Sequence, residues 1–418
     1  MERPYPLTTN KPMKRRKFLQ TVALTTGGMM IPVGSSSWVA MGANKAKNPQ
    51  RLVVILLRGA IDGLNVVIPH QDSEYYNLRP SIAINYPKEK QGAIDLDGFF
   101  GLHPDLNNLM PFWQQKNLAF IHNCGSPDDT RSHFDAQDYM ETGTPGVKST
   151  PDGWLNRLLA QLPKDKPTQA LNVGNTTPRI LKGPMPIAHL RPGKNSLNAL
   201  PLDRPHISNA FDRLYSGDSK IDKAYQEGRQ ARSIILEQLN QEMMSASRDA
   251  VSPNQFVDDA AEVAKLIAGN AKTQLAFMDV GGWDTHINQP GIFNRSLPSL
   301  GEGIATLVKN LGAAYQNTVI VVMSEFGRTA KENGNKGTDH GHGNVLWLLG
   351  GAVKGGQIYG DWTGLDEANL HQKRDLPVNT DFREAIASIL SQHLQLNTQQ
   401  IASVFPDYQP VGNLSLLR

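Results

Sequence analysis

Six consecutive apolar residues, Leu52 to Leu57 in "RLVVILLRG", constrain the fold more than any other stretch of this chain. A short run of that kind, rich in branched side chains, reads as a strand buried on both faces, and such strands belong to parallel sheets. Similar runs recur at "NLAFIHN" (117–123), "QLAFMDV" (274–280), "TVIVVMS" (318–324) and "NVLWLLGG" (344–351). Helical patterns stand between them: "DLNNLMPFWQQK", "GWLNRLLAQL", "RSIILEQLNQEMMSASRD", "FVDDAAEVAKLIAG" and "SLPSLGEGIATLVKNLGAAYQ". The alternation predicts an α/β protein with a doubly wound, mostly parallel sheet flanked by helices. One domain is expected over residues 50–418, with a loop-rich excursion at 163–230, where proline, glycine and polar residues show no period.

Charge narrows the partners. The net charge is +3, and Arg3, Lys11, Lys14, Arg15, Arg16, Lys17, Lys45 and Lys47 all lie in the first fifty residues. The remainder is near neutral, with no basic face on a recognisable motif, so nucleic acid is not an expected partner. A single cysteine, Cys124, rules out an intrachain disulfide framework. It reads as a buried thiol at a strand end. The segment "KRRKFLQTVALTTGGMMIPVGSSSWVA" has a basic start, a moderately apolar middle and small residues at its end. That layout is a secretory signal, and Arg15-Arg16 before Lys17-Phe18-Leu19 gives it the look of a twin-arginine address over residues 1–43. Cleavage near Ala40 or Ala43, and a periplasmic or extracellular destination, follow as expectations. The apolar run is too diluted to anchor the chain, so contact with a membrane is expected only during export.

In open α/β sheets, ligands bind beyond the carboxyl ends of the strands. Here the strand ends carry "RGAIDGLN" with Arg58 and Asp62, "GGWDTHINQ" with Asp284 and His286, and "SEFGRT" with Glu325 and Arg328. The loop "GTDHGHGN" adds Asp339, His340 and His342. Each cluster alone has a plain structural reading as a cap or polar turn. Together they offer Asp62, Asp284, His286, Glu325, Asp339, His340 and His342 as metal ligands. Mixed carboxylates and imidazoles suit zinc, manganese or iron. Seven groups exceed the needs of one ion, so two divalent ions about 4 Å apart are expected.

A hydroxyl nucleophile is sought in "DDTRSHFDAQDYME". Ser132 reads as a helix N-cap, and the exposed N–H groups of a helix start favour an anion there. Thr130 is its neighbour and rival. Arg58, Arg131 or Arg328 could hold an oxyanion, and each has an equally ordinary reading as an ion-pair partner. Trp283, Phe326 and Trp347 flank the clusters as wall or core residues.

The motifs "RGAIDGLN", "FGLHPDLNNL", "TRSHFDAQDYMETG", "GGWDTH", "SEFGRT" and "DHGHGN" resemble those of the exported bacterial proteins of the domain-of-unknown-function 1501 family, from about residue 50 to near the C-terminus. That family is in turn similar to the alkaline phosphatase superfamily, which includes sulfatases and phosphodiesterases. The resemblance implies an alkaline phosphatase-like fold with two metals beside a hydroxyl nucleophile. It places Asp62 as the first-strand ligand, Ser132 or Thr130 as nucleophile, and Asp284 and His286 on one metal. Glu325 stands where an aspartate–histidine pair is usual, and His340 or His342 matches the last histidine. The expected function is metal-dependent hydrolysis of phosphate or sulfate esters, on a small molecule or a polymer. The alternative is a non-catalytic exported metal-binding or assembly protein on the same fold.

Overall fold

The computed structural model describes residues 29–32, 38–41, 49–163, 170–174, 176–190, 205–230, 255–269, 273–410 and 414–418. The expected signal segment lies largely outside the described residues, as does the helical pattern at 232–249. Two short antiparallel strands, Met29–Pro32 and Trp38–Met41, belong to a unit of their own, residues 1–49.

The second unit, residues 50–418, is organised by a nine-stranded sheet. Eight of its strands run in the order Gln357–Tyr359, Leu118–Gly125, Asn344–Gly350, Thr318–Ser324, Arg51–Leu57, Leu275–Val280, Ala170–Val173 and Ala188–Leu190, and Thr380–Asp381 pairs with Leu118–Gly125. All five apolar runs are strands, and every residue of Arg51–Leu57 and Thr318–Ser324 is buried. The pairings are parallel except those of Asn344–Gly350, which is antiparallel to both neighbours. The excursion at 163–230 differs from expectation in part: it supplies the two parallel strands at one edge of the sheet.

Period-two alternation divides the core. Val53, Ile55 and Leu57 face one layer, with the helices Gln255–Gly269 and Gln289–Leu311 packed over them. Leu52, Val54 and Leu56 face the other, under Trp154–Gln161 and Phe382–Gln392. A strand sandwiched this way has no solvated face, which is why it must be apolar at every position. Cys124 is buried as expected, and burial pushes its thiol pKa up. No described helix is long and apolar enough to cross a membrane.

Two buried histidines tie stability to pH. His103 caps the turn Pro104–Leu109, its Nδ1 accepting from Asp105 N at 3.2 Å, which requires a neutral ring. His122 Nε2 lies 3.0 Å from the Val67 carbonyl. Burial lowers both from 6.5 to about 4. The unfolded chain therefore takes up protons on them below pH 6.5 while the folded chain stays neutral to about pH 4. Stability is full above 6.5 and falls as pH drops through that window, by on the order of 3 kcal/mol for each. Chemical denaturation at pH 7 and pH 4.5 should show the loss, and His122→Gln should flatten part of it. An unchanged slope in that variant would refute the assignment.

Candidate metal centre

The sheet brings the clusters together by direction. Arg51–Leu57, Leu118–Gly125, Leu275–Val280 and Thr318–Ser324 all point the same way, so the loops after them share one edge. Asn344–Gly350 runs the other way, so its amino end starts at that same edge, and the loop before it arrives with Asp339, His340 and His342. The loops are pressed close. Gly59 has φ +110°, and a Cβ there would lie 2.7 Å from the Asp284 nitrogen. A Cβ on Gly327 would lie 1.8 Å from the Gly343 carbonyl oxygen.

Four side chains converge on this edge. Asp284 Oδ1 lies 3.1 Å from His286 Nε2, 3.4 Å from His340 Nε2 and 3.5 Å from His133 Nε2. The Nε2 atoms of His286 and His340 are 2.9 Å apart. Ligand atoms of His133, Asp284 and His340 all fall within 4.8 Å of one another, a group that could hold a metal ion. Each imidazole is steadied from behind through Nδ1: His133 by Glu325 at 2.8 Å, His286 by Asp339 at 3.0 Å, and His340 by the Arg131 carbonyl at 2.8 Å. Arg328 donates to Asp284 Oδ1 at 2.7 Å. The Asp284 side chain is 48% exposed, so the cluster opens to solvent on one side.

Charge follows these contacts. Burial works against the Glu325 carboxylate, but hydrogen bonds from His133, Gln137 and the Gly59 N–H outweigh it and hold its pKa low. Asp284 is likewise held low against its partial burial by Arg328 and the histidines. The hydrogen bond to Glu325 raises His133. Burial, then the nearby His133 and Arg328, lower His340.

Several expected site residues are placed elsewhere. Asp62 turns inward rather than toward the cluster: it is 1% exposed and paired in two contacts with Arg79, at 2.6 and 3.1 Å. Gln289 and the Leu64 N–H complete its shell, so its oxygens are already engaged. Glu325 stands behind His133 as its hydrogen-bond partner. Arg328 is buried and donates to the carbonyls of Gly59, Ala60, Trp283 and Thr338 as well as to Asp284. Arg58 is tied to Asp279, Gln137 and Glu141, and Arg131 to Asp375 and Gln372. His342 is buried beside His371, ring centroids 4.5 Å apart, and burial lowers its pKa to about 4. Asp339 reaches the cluster through His286. Ser132 caps the helix His133–Thr142, accepting from Asp135 N at 3.4 Å, while Thr130 Oγ1 accepts from Ser132 N at 3.3 Å. His133 is the residue that sequence reasoning passed over. It sits in "TRSH" beside the sought hydroxyls, and the rule that metal-competent groups gather at strand ends would have included it.

A histidine–carboxylate cluster at the strand ends of a doubly wound sheet defines an α/β protein with a candidate metal centre. The chain belongs to the family described as "Protein of unknown function (DUF1501)", whose model matches residues 49–405. No curated protein matches it. Structures to which it is similar include Ps i-CgsB in complex with k-i-k-neocarrahexaose, at 12% identity over 84% of this chain and 74% of that one, with a TM-score of 0.40. Another is a protein in the alkaline phosphatase superfamily from Vibrio parahaemolyticus, at 10% identity over 74% and 62%, TM-score 0.36. A third is the alkaline phosphatase of the Antarctic bacterium TAB5, at 13% identity over 75% and 95%, TM-score 0.32.

The placement of Asp62 has a direct test. Asp62→Ala leaves the Arg79 guanidinium buried and unpaired, a loss of about 3–5 kcal/mol. Denaturant unfolding should show a drop of that order, with metal affinity of the folded fraction unchanged. Loss of metal without loss of stability would make Asp62 a ligand instead.

Proposed function

We propose that this protein is an exported, metal-dependent hydrolase of phosphate or sulfate esters. The observation that carries the reading is the convergence of Asp284, His286, His340 and His133 at a solvent-open strand edge, directly beside Ser132 at the start of a helix. His133, Asp284, His286 and His340 would hold a divalent ion, which would supply Lewis-acid charge and favour the ionised form of a neighbouring hydroxyl. Ser132 is the nucleophile in this reading, with Thr130 the alternative. Its Oγ forms a bond to phosphorus or sulfur, the bond to the ester oxygen breaks, and the alcohol leaves with a proton. Water then cleaves the Oγ bond and regenerates Ser132. The helix N–H groups behind Ser132 favour the anionic group in both steps. The Asp284 side chain is 48% exposed, so a group approaching from solvent can reach the cluster, which supports catalysis. The twin-arginine pattern at Arg15 and Arg16 supports export.

A screen of aryl phosphate and sulfate esters tests the proposal, with and without chelator. Turnover should require metal and fall by a factor of 100 or more in Ser132→Ala, on the order of what a lost nucleophile or its activating group costs. Thr130→Ala should retain most of it. Metal-bound, folded protein that cleaves none of these esters would point to the binding or assembly role.

A further inference from the structure

We propose that the centre binds one divalent transition-metal ion through His133, His286, His340 and Asp284, with Glu325 as the positioning residue of His133. The inference rests on the reading of this cluster as a metal centre, and goes further in naming the ligand set, the stoichiometry and the class of ion.

The hydrogen bonds fix which nitrogen of each ring is free. Glu325, Asp339 and the Arg131 carbonyl are acceptors, so each facing Nδ1 carries the ring's proton. A neutral imidazole protonated on Nδ1 presents a bare lone pair at Nε2. The bare Nε2 atoms of His286 and His340 then face each other at 2.9 Å, with the Asp284 carboxylate oxygen 3.1 and 3.4 Å away. Three acceptors at such distances repel unless a cation lies between them. His133 Nε2 is buried without a hydrogen-bond partner, and it too points at Asp284 Oδ1, 3.5 Å away.

The separations also fit one ion. Adjacent ligands bound tetrahedrally at zinc-like distances of about 2.0–2.2 Å stand roughly 3.3–3.6 Å apart. Asp284 Oδ1 stands 3.1, 3.4 and 3.5 Å from His286, His340 and His133, the His286 and His340 nitrogens are 2.9 Å apart, and His133 and His340 fall within 4.8 Å. Three imidazoles and one carboxylate suit zinc and its first-row neighbours, whereas magnesium and calcium take mostly oxygen. Histidine ligands are commonly held by a carboxylate or carbonyl on the far nitrogen, and all three here are. Asp62 and His342, which a second ion would need, are turned to Arg79 and to His371.

Cobalt titration of the metal-stripped, folded protein tests this without any substrate. One equivalent should bind, with the strong visible absorption of a low-coordinate cobalt ion. His133→Ala should lose that absorption and bind weakly, and Glu325→Gln should weaken binding by about 10–100-fold. Phe134→Ala, altering an exposed neighbour, should match wild type. Two equivalents in wild type, or equal binding by wild type and His133→Ala, would overturn the proposal. X-ray absorption of zinc-loaded wild type guards against a variant that fails to fold: three imidazoles support the ligand set, and one or two refute it. A one-ion centre without ester turnover would sink only the hydrolase reading. Ester turnover with metal bound independently of His133 would sink only this one.

Discussion

The site depends on one buried guanidinium. Arg328 is wholly enclosed, and its donors reach the carbonyls of Gly59, Ala60, Trp283 and Thr338 and the Asp284 carboxylate. Those acceptors belong to three different loops, each of which leaves or enters a separate strand. Buried carbonyls must find donors, and these loops supply only some of them from one another's backbone, as in Thr338 N–H to the Thr285 carbonyl. A single planar fork with five N–H groups answers for all of them at once. The loops can then approach as closely as Gly59 and Gly327 allow, and Asp284 is held by a charged partner instead of swinging free.

Strand direction does the remainder. Parallel strands alone would have delivered Asp284, His286 and Glu325 to one edge. The reversed strand Asn344–Gly350 adds His340 and Asp339, because an antiparallel strand begins where its parallel neighbours end. The helix His133–Thr142 contributes from its first residue, where side chains are not yet committed to the packed face. A histidine–carboxylate cluster drawn from separate chain segments is thus the product of a sheet that is parallel with one exception.

The strands were legible because burial on both faces leaves a mark in the residues themselves: Leu52–Leu57 has no polar position to mistake. The residue types of the site were legible for a similar reason, since carboxylates and imidazoles after an apolar strand have few other causes. What a sequence does not carry is the direction of a side chain. Asp62 and Asp284 each follow a parallel strand within five residues, yet one faces Arg79 in the interior and the other faces the cluster. The difference lies in Arg79, seventeen positions further along the chain, whose path no local pattern announces. Glu325 and His133 show the same gap: the carboxylate turns to the ring of His133, and the histidine starts a helix eight residues beyond the strand Leu118–Gly125.

The arginines sharpen what the centre can recognise. Arg58, Arg131 and Arg328 looked like clamps for an anion, and all three spend their donors on protein acceptors. Arg58 is held between the carboxylates of Asp279 and Glu141, and Arg131 shares the Asp375 carboxylate with Arg374. The three guanidiniums thus act on the site by holding its loops and, through Arg328, the Asp284 carboxylate.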